Sequence, residues 1–157
     1  MDLDQMSALI AGNEMENIPD VRAFEPLKEW LDNMTSAYEI YHTNTSDVDC
    51  LRMINDVSQK MKQARTLFKK TQLAACQFAL LSNRRNMIGK KVYNIDSPSE
   101  ESLRWNSSWN QLQVYEGMRS MYAKYLRKVS IDMVDCCLKL DNLHESFLEL
   151  ILDEDCL

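Results

Sequence analysis

Apolar residues recur along this chain at alternating intervals of three and four, over three long stretches. In the last of them Tyr115, Met118, Tyr122, Leu126, Val129, Met133, Cys136, Leu140, Leu143, Phe147 and Leu150 follow one another three or four apart, alternating throughout from Leu126 onward. That spacing is the stripe of a helix packed lengthwise on other helices. Ser97, Pro98 and Glu100 supply a cap, a first-turn proline and the third-position acid of a capping box, so the helix is predicted over 98–152. Closer to its start, Trp105, Trp109, Leu112, Tyr115 and Met118 are spaced 4, 3, 3, 3. This slip of phase beside Gly117 predicts a local change in packing or a bend.

A second stretch, Cys50, Ile54, Val57, Met61, Ala64, Phe68, Thr71, Ala75 and Phe78, keeps the 4, 3 alternation. It predicts a helix over 47–88, capped by Ser46 or Asp47 and stopped at Gly89. The segment 89–97 then reads as a connector. Upstream, Leu27, Leu31, Met34, Tyr38 and Tyr41 form the stripe of a helix over 26–42, with Pro26 in its first turn. Leu3, Met6, Leu9 and Ile10 mark a short amphipathic helix within 1–12 that is too short to stand alone.

The short connector makes the last two long helices an antiparallel hairpin, with the helix from Pro26 as a third member. The whole chain, 1–157, is therefore expected to be one all-α domain: an elongated three- or four-helix bundle, or an antiparallel coiled coil, with a long C-terminal helix. Three glycines and three prolines in 157 residues agree, because long helices need few turns. Ten methionines fit uneven helix interfaces.

The layout resembles a spectrin-type three-helix repeat over about residues 22–130. The likeness is carried by Phe24 and Glu29-Trp30-Leu31 in the first helix and Trp109-Asn110-Gln111-Leu112 in the last. The resemblance implies a cytoskeletal or scaffolding module.

Catalytic chemistry is not visible. His42 and His144 are far apart in sequence, and Cys136-Cys137 are adjacent, which does not suit a zinc knuckle. No glycine-rich phosphate loop occurs. The expectation is a non-enzymatic protein with no catalytic residues, no cofactor and no metal. No run approaches the roughly 18 apolar residues of a membrane span. The five cysteines, odd in number, and the acidic start Met-Asp-Leu-Asp point to the cytoplasm or nucleus.

Function has to come from surfaces. Segment 138–152 is apolar on more than one face, through Leu138, Leu140, Leu143, Phe147, Leu148, Leu150, Ile151 and Leu152. It is the expected site for helix–helix contact with other protein chains in a hetero-oligomer. The charge pattern adds a second surface. Residues 60–91 hold nine bases and no acid, whereas 1–59 hold 12 acids and three bases, and 92–157 hold 12 acids and six bases. Lys62, Arg65, Lys69, Arg84, Arg85, Lys90 and Lys91 are the candidate patch for an anionic partner such as a microtubule, an acidic subunit or a lipid surface. Nucleic acid is disfavoured, because the chain carries a net charge of −6 and no nucleic-acid motif accompanies the patch. The expected function is an adaptor or structural subunit of a larger complex, of the kind used in cytoskeletal, cell-division or trafficking machinery. The alternative is direct binding of an anionic surface through 60–91.

Overall fold

A computed structural model of the chain describes residues 20–93 and 107–154. All regular structure there is helical. A 3-10 turn over Val21–Phe24 leads directly into α1, Glu25–Asn44. Two long helices follow, α2 (Val48–Tyr93) and α3 (Ser107–Glu154). At 46 and 48 residues they are each about 70 Å long. The short N-terminal helix expected over 1–12, the capping box at Ser97 and Trp105 lie outside the described residues.

Local chemistry explains the boundaries. Pro26 sits in the first turn of α1, where a missing N–H has no helical partner to lose. α1 ends where Thr45 turns extended, at the head of a cluster of hydroxyl residues. Asp47 then caps α2: its Oδ1 accepts from the backbone N–H of Asp49 at 2.9 Å and of Cys50 at 3.0 Å. Gly89 does not stop α2, which continues to Tyr93. A glycine inside a helix costs about 1 kcal/mol relative to alanine, and that is not enough to end one.

α2 and α3 run antiparallel along most of their length. Cys136 Sγ donates to the Lys60 carbonyl at 3.7 Å, and Thr71 Oγ1 meets Met133 Sδ at 4.0 Å. Further on, Arg119 Nε donates to Ser82 Oγ and Arg85 Nε to Glu116 Oε1, each at 2.9 Å. The partner number falls as the α2 number rises.

α1 covers only half of this hairpin. Its buried residues Leu27, Leu31, Met34 and Tyr38 join Cys50, Ile54, Val57, Met61, Ala64 and Phe68 of α2 with Met133, Val134, Cys136, Cys137, Leu140 and Phe147 of α3 in one core. We call this three-helix half the base. Beyond Phe68 and Met133 the described residues form only the two long helices, which continue as an arm held by buried Ala74, Leu81, Leu112, Leu126 and Val129. The three helices expected to lie together do so in the base only.

This change from three helices to two accounts for how α3 is buried. In the base it faces both α1 and α2, so Val134 and Cys137 are buried beside the predicted stripe, and Ser130, where the arm begins, is buried in line with them. In the arm the contact centres on Leu112 and Leu126, and Met118, a predicted stripe residue, lies exposed. Leu112 and Leu126 are fourteen residues apart and keep the line of Met133, Leu140 and Phe147, so the buried stripe holds its phase across Gly117.

Candidate functional site

The C-terminal segment divides by depth. Leu140 and Phe147 are fully buried in the base core. Leu138, Leu143, Leu150 and Ile151 are half-buried and packed against it, and Leu148 is half-buried as well. Leu152 alone points outward, 80% exposed. The cause is α1, whose aromatic end closes over this part of α3. The Tyr38 and Tyr41 rings stand 5.1 and 5.0 Å from the Phe147 ring, and the Tyr38 hydroxyl is 2.8 Å from His144 Nδ1. Most of the apolar surface between 138 and 151 therefore packs within the chain.

The open apolar surface is on the arm. Val114, Met118, Met121 and Tyr125 are spaced 4, 3, 4 on α3, and all four are exposed, Val114 by 60% and Met121 by 61%. The helical period places them on one face. A separate line on α2, Leu73, Leu80 and Met87, repeats every seven residues and is 57–67% exposed. In the base the third helix covers comparable surface; on the arm none of the described elements does.

The same arm is strongly basic. Residues 72–93 carry four cations and no acid, and residues 107–128 carry four cations and one acid, a balance of +7. In the base, residues 133–154 carry six acids and one cation. The molecule is thus electrically polarised along its length.

The seven basic candidates do not form one patch. Arg65 lies in the base, where it donates to the Thr35 hydroxyl and sits 3.7 Å from Asp32. Arg85 is engaged by Glu116 across the hairpin at 2.9 Å. Lys62, Lys69, Arg84 and Lys90 are exposed. Among the described residues none of these four makes an ion pair. Lys91 falls in the last turn of α2, and its side chain lies outside the described residues. Lys62 and Arg65 instead border an open groove of about 410 Å³ between α1 and α2, with Tyr38, His42, Ile54 and Met61 also in its lining.

Among the described residues no cluster of histidine, cysteine or acid could hold a metal ion, and no helix is long and apolar enough to cross a membrane. Burial pushes the Cys137 thiol up to about 12, with the neighbouring Cys136 thiol adding to the shift, and burial also raises Cys136. Burial raises the Tyr38 phenol too. These groups stay protonated at neutral pH and are poor nucleophiles.

No family model, curated protein or solved structure matches this chain. The tryptophans that carry the spectrin resemblance lie in different halves of the molecule: Trp30 packs against the base core and Trp109 stands in the first turn of α3.

Two functional candidates escaped sequence reasoning. The Leu73, Leu80, Met87 line repeats every seven residues, parallel to the stripe that is buried, and differs from it in that no described helix covers it. Met118 and Tyr125 fall on or beside the predicted stripe, and their exposure follows from the narrowing of the bundle.

Proposed function

We propose that this chain is a non-enzymatic helical adaptor or structural subunit that takes a helix of another protein on its arm. The reading rests on one observation: Val114, Met118, Met121 and Tyr125 form an outward stripe of coiled-coil spacing on a part of the bundle where the described residues form two helices. The partner helix is acidic, because Lys124 and Lys128 border the stripe and the arm as a whole is basic. The helix interfaces are lined by Leu, Met, Phe and Tyr, which suits binding better than chemistry. Cys50, Cys136 and Cys137 are buried and not paired with one another, which suits a reducing compartment, the cytoplasm or nucleus.

The test is affinity capture of partners by the wild-type chain and by two variants. Val114→Glu with Met121→Glu places charge on the stripe and abolishes capture. Ile40→Glu alters an equally exposed residue of the base and leaves capture intact. Equal capture by all three chains contradicts the reading.

A second reading is direct binding of an anionic surface, favoured by the exposed Lys69, Arg84, Lys90, Lys124 and Lys128 along the arm. It predicts affinity for microtubules or anionic vesicles that falls steeply with salt and is lost in Arg84→Glu with Lys90→Glu.

A further inference from the structure

We propose that residues 1–19 of this same chain dock on the Leu73, Leu80, Met87 line of α2, as a third, intramolecular element of the arm. The inference goes beyond the adaptor reading and does not depend on it. Three observations carry it.

The first is position. Val21 and Phe24 border a crevice with Phe68, Thr71 and Gln72, so the chain enters α1 at the level where the arm begins. The described chain begins at Asp20, beside Val21, and this crevice lies within about one helical turn of Leu73 along α2. Gln72 and Leu73 are about 100° apart around α2, so a docked segment must cross part of that helix. Residues 13–19 span up to about 24 Å when extended, which is enough for the crossing.

The second is pattern. Leu73, Leu80 and Met87 make a narrow exposed line on one helix. Leu3, Met6, Leu9 and Ile10 fall at the spacing of one helical stripe, and Leu3 and Ile10 are seven apart, the interval that separates the residues of the α2 line.

The third is charge. The neighbours of the line at three and four residues are Lys69 and Lys70 beside Leu73, Arg84 beside Leu80 and Met87, and Lys90 beside Met87, all exposed. There is no acid on α2 beyond Asp56. Residues 1–19 carry Asp2, Asp4, Glu14 and Glu16 and no lysine or arginine. Asp2 and Asp4 flank Leu3 in sequence, so in a helix they lie on either side of the apolar stripe. An apolar stripe edged by acids meets an apolar line edged by bases. A second copy of α2 would instead bring lysine to lysine.

The test is zero-length carbodiimide cross-linking of the full chain, made as an equal mixture of light and nitrogen-15-labelled protein and read by mass spectrometry. The expected products join Asp2, Asp4, Glu14 or Glu16 to Lys69, Lys70 or Lys90 within light–light and heavy–heavy pairs. They fall at least tenfold in Leu9→Glu with Ile10→Glu, and again in Leu80→Glu. Absence of these links overturns the proposal. So do links of equal yield in the variants, which report chance encounters of a tethered segment. Mixed light–heavy links also overturn it, because they assign the segment to a second copy. No partner protein enters this experiment, so its failure leaves the adaptor reading standing, and failed capture of a partner leaves this inference standing.

Discussion

The Tyr38 hydroxyl lies 2.8 Å from His144 Nδ1, across 106 residues of sequence, and joins the C-terminal end of α1 to that of α3. The two rings also meet edge to face, with 5.6 Å between centroids, and the Tyr38 ring rests on Phe147. One polar contact inside an aromatic cluster thus fixes the register of the short helix on the hairpin. Tyr38→Phe keeps the ring and removes the hydroxyl, so it should cost about 1 kcal/mol. Phe147→Ala, which opens a cavity at a fully buried site, should cost about 3–5 kcal/mol. Urea unfolding of both variants checks the order. Equal losses would show that the hydrogen bond, and not the aromatic packing, carries the contact.

The buried thiol pair makes stability depend on pH. Cys137 ionises near 9 when unperturbed and near 12 in the fold, because burial disfavours its thiolate. Between those values the folded chain keeps a proton that the unfolded chain has lost. Stability is then unaffected by this group below pH 9 and falls above it by up to ~1.4 kcal/mol per pH unit. Between pH 8 and pH 10 the wild-type chain should lose about 1.4 kcal/mol more than Cys137→Ala, measured by urea unfolding under reducing conditions. Parallel pH profiles would contradict the assignment.

Asp47 satisfies two of the amides that open α2, and its side chain is otherwise exposed. Asp47→Ala should therefore destabilise the chain by about 1 kcal/mol with no loss of packing. Asp47→Asn, which keeps an acceptor oxygen in place, should retain most of that stability. Thermal unfolding of the two variants separates a cap from a charge effect.

Much of this architecture was legible in the residues. The 4, 3 spacing from Cys50 to Phe68 and from Leu126 to Leu140 names buried positions, because a long helix packed on another must turn one stripe inward. Asp47 and Pro26 announce helix starts through their own hydrogen-bonding limits. Gly89 misled, because the cost of one glycine inside a helix, about 1 kcal/mol, is not enough to end it. The site was less legible for a physical reason. Whether an apolar stripe is buried depends on how many helices surround it, and that number changes near Phe68. Leu140 and Phe147 thus became core when α1 closed over them, while Val114 and Met121 remained outside. The Tyr38–His144 contact joins two helices whose sequences say nothing of each other.

The central claim is that the arm stripe of α3, and not the C-terminal segment, receives a partner chain. The most direct measurement is lysine cross-linking mass spectrometry of the complex captured on the wild-type chain. Lys124 and Lys128 border the stripe, whereas Lys139 stands on the base half of the same helix. The account predicts inter-chain links concentrated on Lys124 and Lys128. Inter-chain links confined to Lys139 and the base, or links only within the chain, would contradict it.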